Sequence, residues 1–250
     1  MSITETFDPV SPEIIPPGAV IRPEKDFPET LLTCFSYGFY QKILEMTEAE
    51  EIDAFRGGRL IPVYRLGYKG KTLGFYHSLL GGAASAALLE EAIAKGAKRI
   101  LFFGSCGALD REVTAGKLIV PTAAWRDEGV SYHYAPAGDE IPVETAPRLA
   151  EIFNDLGLPY LLTKTWTTDA FYRETERNAA LRRAAGCTVV EMECASVSAV
   201  GQFRQVPVYQ FLYAADCLDA GTWDRRILGD IPTDLRTRIA AVALETAIRL

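Results

Sequence analysis

Histidine and cysteine are too scarce and too scattered in this chain to build a metal centre. The 250 residues include 2 histidines, His77 and His133, and 5 cysteines with no CxxC pair. Most zinc sites are built from histidine-rich or paired-cysteine patterns. We therefore expect no metal ion. An odd number of cysteines, mostly in apolar or small-residue surroundings, predicts buried free thiols and a reducing, cytoplasmic location.

Positive charge and long apolar stretches are also lacking. Lys and Arg number 26 against 33 Asp and Glu, for a net charge of -7. This balance argues against a nucleic acid or an anionic membrane as partner. No apolar run approaches the ~18 residues of a membrane span, and the N-terminus does not resemble a signal peptide.

Proline, by contrast, is concentrated at the N-terminus, with 6 of the 14 prolines in residues 1–28. Such density excludes helix and central strand. We expect an extended arm over residues 1–28, either disordered or wrapped over a neighbouring subunit. Residues 29–250 are predicted to form one domain, and a hydrophobic content of 48% is sufficient for a single large core.

The rest of the chain alternates strand and helix patterns. Strands are predicted at 31–35, 59–64, 72–76, 99–103, 118–121, 161–168, 189–190 and 206–214, with a hairpin turn at 67–71. Five helices are predicted. Three are defined by their starts, at residue 39, after Gly81-Gly82 and at Cys194; one ends at about residue 185, and the last spans 235–250. The pattern predicts an α/β fold with helices on both faces of a sheet, and the hairpin makes that sheet mixed.

Two carboxylates lie where a buried strand meets a helix. Glu191 and Glu193 flank Met192, directly after Val190 and before a run of small residues. In an extended segment, residues two apart point the same way, so both carboxylates could line one cavity. Alternatively, they are solvated acids in the first turn of a helix, favoured by the helix dipole.

Other strand ends also end in small or acidic residues. The 99–103 strand leads into Gly104-Ser105-Cys106-Gly107, which would let a ligand approach the backbone closely. Asp216 follows the apolar 206–214 strand, where a carboxylate is costly unless it is paired or functional. The alternative is that Asp216 caps the loop that follows. The glycine pair before the Ala-rich helix leaves free N–H groups that suit an anion.

Four stretches of the chain, in this order, resemble the nucleoside phosphorylase and nucleosidase superfamily of the purine/uridine phosphorylase type. They are residues 103–109, 127–134, 190–193 and 215–216, within a similarity from about residue 30 to the C-terminus. The resemblance implies a mixed sheet partly closed into a barrel and flanked by helices. It also implies cleavage of a nucleoside's N-glycosidic bond by phosphate or water, no cofactor, and a homo-oligomer with shared active sites, a dimer or a trimer-of-dimers hexamer.

The resemblance carries roles onto individual residues. Glu193 matches the residue that accepts hydrogen bonds from the sugar hydroxyls, and Asp216 matches the general acid at purine N7. Arg177 matches a base-reading Arg of uridine phosphorylases, but the accompanying Gln is replaced by Thr175. The implied substrate-binding set is Val190, Glu191, Met192, Glu193, Phe171, Arg177, Ser105, Cys106 and Gly107.

The phosphate site is the least complete part of the match. Ser105, Gly38 and a neighbouring subunit's Arg59 are the candidate ligands. Phe102 replaces one expected Arg, and residues 36–40 lack a second. We expect phosphorolysis of a purine-type nucleoside. The alternatives are a hydrolytic nucleosidase, a uridine phosphorylase-like activity and a non-catalytic nucleoside-binding protein.

Overall fold

The strands form one mixed sheet. The computed structural model describes residues 2–56, 59–219 and 222–250. Within these ranges the strands are β1 (Thr30–Cys34), β2 (Glu48–Phe55), β3 (Ile61–Tyr68), β4 (Lys71–His77), β5 (Arg99–Ala108), β6 (Leu118–Asp127), β7 (Glu140–Pro142), β8 (Tyr160–Thr168), β9 (Cys187–Glu191) and β10 (Val208–Cys217). Their order is β10-β6-β8-β9-β5-β1-β4-β3-β2, with β7 on β6.

Part of this sheet closes into a barrel. Strand β10 pairs with both β6 and β5, so β5, β10, β6, β8 and β9 form a five-stranded ring. Strands β1, β4, β3 and β2 extend the sheet from β5. The expected mixed sheet, partly closed into a barrel, is confirmed. Closure brings the ends of β5, β9 and β10 together, since Gly107 pairs with both Val190 and Asp216.

Helices cover both faces of the sheet, as predicted. They are α1 (Pro17–Val20), α2 (Tyr37–Glu45), α3 (Gly82–Lys95), α4 (Ala146–Asp155), α5 (Glu176–Ala184), α6 (Cys194–Arg204) and α7 (Thr233–Ala247). Apolar residues of α2, α4 and α7 share one core cluster, while those of α3 lie in another with Val197 and Val200 of α6. Glycine starts α3, because Gly81 at its N-cap has a φ of 93°.

Several predicted boundaries were wrong for physical reasons. Strand β5 does not end at 103 but continues to Ala108, because β9 and β10 pair with its glycine-rich end. Strand β2 was missed since its exposed, acidic residues hide the strand pattern. The hairpin is confirmed, with Lys69 and Gly70 at positive φ as its two-residue turn. Strand β7 and helix α4 had no prediction.

The N-terminal arm packs on its own chain. Helix α1 and a 3-10 turn at Ile3–Glu5 correct the exclusion of helix. Pro17 can begin α1 because the first helical N–H needs no partner. Between these two elements, Glu13 of the arm pairs with Arg204 of α6 at 2.5 Å, and the centroid of the Phe7 ring lies 6.5 Å from that of Phe203. The division at residue 28 stays a prediction.

Two further expectations concern the chain as a whole. All five cysteines are buried free thiols, as predicted, although the compartment stays a prediction. Among the described helices, none is both long enough and apolar enough to cross a membrane.

Candidate active site

The ends of β5, β9 and β10 meet around Gly107. A Cβ at this position would lie 3.1 Å from Val190 Cγ1, 3.2 Å from Asp216 Oδ1 and 2.6 Å from Leu218 Cδ1. Real Cβ atoms do not approach other heavy atoms as closely as the last distance, so any larger residue would displace the end of the Leu218 side chain and crowd Val190 and Asp216. The missing side chain lets Val190 and Asp216 converge at one barrel end.

Glu193 lies at the N-cap of α6 with only 4% of its surface exposed. Its Oε1 accepts a hydrogen bond from the backbone N–H of Gly81 at 2.7 Å. Burial, and secondly the neighbouring Glu191 carboxylate, raise the pKa of Glu193 to about 8. The segment before α3 thus holds one oxygen of a buried carboxylate at the start of α6.

Glu191 is buried too, but the fold itself uses its carboxylate. Oε2 accepts the backbone N–H groups of Glu193 and Cys194, each at 2.7 Å. Oε1 accepts the Thr167 hydroxyl at 2.5 Å. Burial raises the pKa of Glu191, and these donors oppose the rise. Strand β9 ends at Glu191 and the chain turns before α6, so the two glutamates do not lie in one extended segment, although their carboxyls are close enough to interact.

Asp216 is the second buried acid of this barrel end, with 9% exposure. Its Oδ2 accepts the Trp223 indole N–H at 2.7 Å, while Oδ1 faces Gly107. Burial raises the pKa of Asp216, against the effect of the Trp223 hydrogen bond. Half-buried Glu174 lies near enough for the Asp216 charge, after burial, to raise the pKa of Glu174 to about 7. The surroundings of Asp216 thus make it a weaker acid than an exposed aspartate.

Cys106 and Met192 complete the inner part of the site. Burial, followed by the carboxylates of Glu191 and Asp216, raises the pKa of the Cys106 thiol well above its usual value. A buried thiol of this kind stays protonated and unreactive. Met192 is half-buried between the two glutamates.

Ser105 marks a second part of the site with a different character. Its side chain is exposed although its neighbours in β5 are buried, and it lies beside the hydroxyl of Tyr213. The fully buried Phe102 ring stacks on Phe35 with centroids 6.1 Å apart. The Phe35 ring also lies over Gly104, 2.8 Å from where a Cβ would stand. Phe102 and Gly104 lie on one face of β5 and Ser105 on the other. An aromatic side chain thus stands at position 102, where the resemblance implied a cation.

The remaining predicted residues lie at the surface. Phe171 is 42% exposed and stacks on Tyr172 with centroids 4.0 Å apart. Arg177 is exposed in the first turn of α5, and Arg59 is exposed in the loop between β2 and β3. The described contacts do not bring these three predicted residues against Glu193 or Asp216.

Residues 127–134 have a structural task. Buried Glu128 accepts the Ser196 hydroxyl of α6 at 2.5 Å and the backbone N–H of Ser131 at 3.0 Å. Buried Arg126 donates to the Ser131 hydroxyl at 2.8 Å and lies 3.8 Å from the Tyr132 ring centroid. These hydrogen bonds connect the loop after β6 to α6, the helix whose N-cap is Glu193.

Comparison with known proteins places this geometry in a family. The model of the "Phosphorylase superfamily" matches residues 30–249. The chain belongs to this superfamily. The predicted resemblance is thereby confirmed.

Individual members of the superfamily resemble this chain to different extents. A purine nucleoside phosphorylase of Plasmodium vivax is 28% identical over 73% of this chain and 76% of its own length. A uridine phosphorylase of Thermococcus kodakarensis is 36% identical over 42% of this chain, a match that spans only 39% of that protein. The structure of the Toxoplasma gondii purine nucleoside phosphorylase with immucillin-H gives a TM-score of 0.77 at 19% identity, covering 96% and 98% of the two chains.

Within this superfamily fold, sequence reasoning missed several residues that contact the site. Trp223 follows Asp216 by seven positions in an irregular loop, and Glu174 comes just before α5. Arg236 of α7 lies over Gly38, one of the predicted phosphate ligands. Of the three, only Glu174 and Arg236 carry a charge that could have drawn attention, and no local pattern separated them from surface residues.

Proposed function

We propose that this member of the phosphorylase superfamily cleaves the N-glycosidic bond of a purine-type nucleoside by phosphorolysis, giving the free base and a sugar 1-phosphate. The observation that carries the proposal is Asp216. It is a buried carboxyl with a raised pKa, and its free oxygen lies over Gly107 at the barrel end. A neutral carboxyl can protonate N7 of a departing purine, which pyrimidines lack. Relatives of the chain are named for uridine and for purine nucleosides. Within this proposal, Asp216 is the residue on which the choice between the two bases depends.

The two acids suit successive needs of the reaction. Glu193 offers the sugar hydroxyls an oxygen not held by Gly81. With a pKa of about 8 it is mostly neutral near pH 7 in the unliganded protein, and hydrogen bonds donated by two sugar hydroxyls would favour its ionised form, which accepts both. As the N-glycosidic bond breaks, its electron pair leaves with the base, which takes the Asp216 proton. A phosphate oxygen forms the new bond to the anomeric carbon from the other side. Stabilising the charge that develops on sugar and base is the main source of rate enhancement.

Glu191 has a supporting role in this proposal. Its oxygens are engaged by two backbone amides and Thr167, so it positions the start of α6 and with it Glu193. Val190, Met192, Cys106 and Gly107 then shape the walls of the sugar and base pocket. Phe171 and Arg177 at the exposed rim stay proposals for contacts to the base.

Hydrolysis is the second candidate, because one observation favours it. Buried Phe102, stacked on Phe35, stands where the resemblance implied a cation for the phosphate dianion. Water needs no such partner. With water as nucleophile the same bond breaks, and the products are free base and free sugar.

A nucleoside panel tests the proposal. Inosine, adenosine, guanosine and uridine are each incubated without phosphate and with about 10 mM phosphate, which is above typical KM values. The free base released is then measured. Purine release that requires phosphate is the expected result. Equal release without phosphate would favour hydrolysis, faster uridine cleavage would favour the pyrimidine branch, and binding without turnover would leave a nucleoside-binding protein.

The assembly is a separate proposal. We propose a homo-oligomer in which exposed Arg59 reaches the active site of a neighbouring copy. An Arg59→Ala protein should keep its assembly and lose activity. A fully active monomer in dilute solution, established by light scattering alongside the assay, would contradict the shared site.

A further inference from the structure

Arg236, in the first turn of α7, places its guanidinium against Gly38 at the start of α2. Its Cζ and Nε lie 3.3 Å, and its Nη2 3.6 Å, from where a Gly38 Cβ would stand. Glycine at position 38 is what allows this approach, because a Cβ contact of 3.3 Å is tighter than nearly all observed ones. The arginine reaches the beginning of α2 from a segment about 200 residues away in sequence.

The guanidinium is only partly hydrogen bonded. Nη2 donates to the carbonyl of Ile231 at 3.2 Å, whereas Nε is buried and has no acceptor in the part of the chain that the structure describes. Carboxylates do not neutralise it either, since the nearby Asp234 pairs with Arg238 at 3.1 Å. A buried N–H without an acceptor destabilises the folded protein, since it has lost its hydrogen bond to water. An anion with several oxygens would satisfy this donor and the positive charge together.

Neighbouring groups add donors on the same side of the sheet. Tyr213, opposite Ser105 in the β5–β10 register, is buried, while the Ser105 side chain is exposed. Burial raises the pKa of the Tyr213 phenol, and contact with Ser105 and the charge of Arg236 partly oppose this. Arg236 is thus close enough to the Tyr213 phenol for its charge to act on it, and Tyr213 is the strand partner of Ser105.

We propose that Arg236 binds the phosphate anion beside Ser105, supplying from α7 the positive charge that β5 and the β1–α2 turn lack. The proposal rests on the phosphorolytic function above. Phe102 and Phe35 leave no cation on the strand side, and arginine is suited to phosphate because its planar fork donates two parallel hydrogen bonds. Gly38 is then the surface on which the guanidinium lies.

Arg236→Gln tests the proposal, with Arg238→Gln as the matched control on the exposed side of the same helix. Two quantities are measured: the KM for phosphate and for inosine, and the rise in Tm on adding inorganic phosphate without nucleoside. Arg236→Gln should raise the KM for phosphate about 10- to 100-fold, the scale of a lost charged hydrogen bond. It should leave the KM for inosine nearly unchanged and abolish the Tm rise, and Arg238→Gln should change neither.

Two milder variants cover the case in which Arg236→Gln fails to fold. Arg236→Lys keeps the charge without the fork and should recover part of the phosphate affinity. Gly38→Ala keeps the arginine but displaces it by a few tenths of an ångström, so the KM for phosphate should rise several-fold. Unchanged phosphate KM in Arg236→Gln, or equal increases in both KM values, would overturn the proposal.

The outcomes also separate this proposal from the proposed function. If phosphate raises the Tm of the wild type but not of Arg236→Gln, while cleavage ignores phosphate, Arg236 binds the anion and phosphorolysis is wrong. If cleavage requires phosphate and Arg236→Gln has a normal phosphate KM, phosphorolysis stands and Arg236 is wrong. No Tm rise and no phosphate dependence in the wild type would overturn both.

Discussion

The two halves of the candidate site are built differently. The half around Glu193 and Asp216 consists of buried acids held by backbone amides, an indole and a close glycine contact. The half around Ser105 consists of the Tyr213 phenol and one arginine from a distant helix, with no cation at this end of β5 itself. Strand pairing fixes the positions of the acids in the first half. In the second half, an arginine from another element takes the place of the cations that the resemblance implied. Chemistry at the sugar and base should therefore be the more sensitive to mutation.

Asp216→Asn should give the largest effect. Asparagine keeps the shape but has no carboxylic proton, so purine cleavage should fall by about 10²- to 10⁴-fold, the range for a lost general acid. A nucleoside whose base leaves without protonation should be spared. The measurement is kcat/KM for inosine and for uridine in wild type and variant, with circular dichroism as the folding control. Uridine cleaved faster than inosine, with Asp216→Asn indifferent, would return the enzyme to the pyrimidine branch.

Sequence alone points to the acids of the first half because short, continuous stretches contain them. Val190-Glu191-Met192-Glu193 spans a strand end and a helix start, and Asp216 ends an apolar strand, so pattern and resemblance both pointed to them. The closed barrel followed from the resemblance. The pairing of Gly107 with Val190 and Asp216 was not predictable, because strand register depends on contacts far apart in sequence.

The phosphate half could not be predicted in the same way. Sequence showed only which cations were missing, Phe102 and the 36–40 segment being the evidence. Arg236 lies in an ordinary amphipathic helix, and only the packing of α7 on α2 brings it to Gly38. The different tasks of Glu191 and Glu193 were also hidden, since a turn after Glu191 is a tertiary feature that spacing does not reveal.

Glu193→Gln should give the second-largest effect, and Glu191→Gln is its matched contrast. Glu193→Gln should lower kcat/KM by about 10²-fold, as expected for a lost transition-state contact, without loss of folding. Glu191→Gln should instead lower the free energy of unfolding by about 1–3 kcal/mol, because amide hydrogens would face backbone donors. Chemical denaturation and kinetics on both variants separate the roles. Wild-type turnover in a folded Glu193→Gln protein would contradict the sugar-binding assignment.

The pH dependence of stability offers a check on the same carboxyl. The pKa of Glu193 is about 8 in the folded protein, far above that of an exposed glutamate. The folded state therefore holds a proton that the unfolded state releases, so stability from this group is fully present below about pH 4.5 and lost as the pH rises through 8. The wild type should lose stability relative to Glu193→Gln across this window. A constant difference between them would contradict the buried, neutral state of Glu193.

Glu174→Gln should give the smallest effect, a change in a pH profile rather than a loss of rate. The negative charge of Asp216 helps to raise the pKa of Glu174 to about 7, so Asp216 ionises first, while Glu174 is still protonated. Glutamine copies this neutral state of Glu174, so the ionisation of Asp216 should not move. Any inflection near pH 7 in the profile of purine cleavage should vanish, while the decline set by Asp216 ionisation should stay. The measurement is kcat/KM for inosine from pH 5 to 9, a range of about two units either side of neutral. An inflection near pH 7 that persists would belong to another group, and a fall in rate at every pH would indicate that Glu174 contacts the base directly.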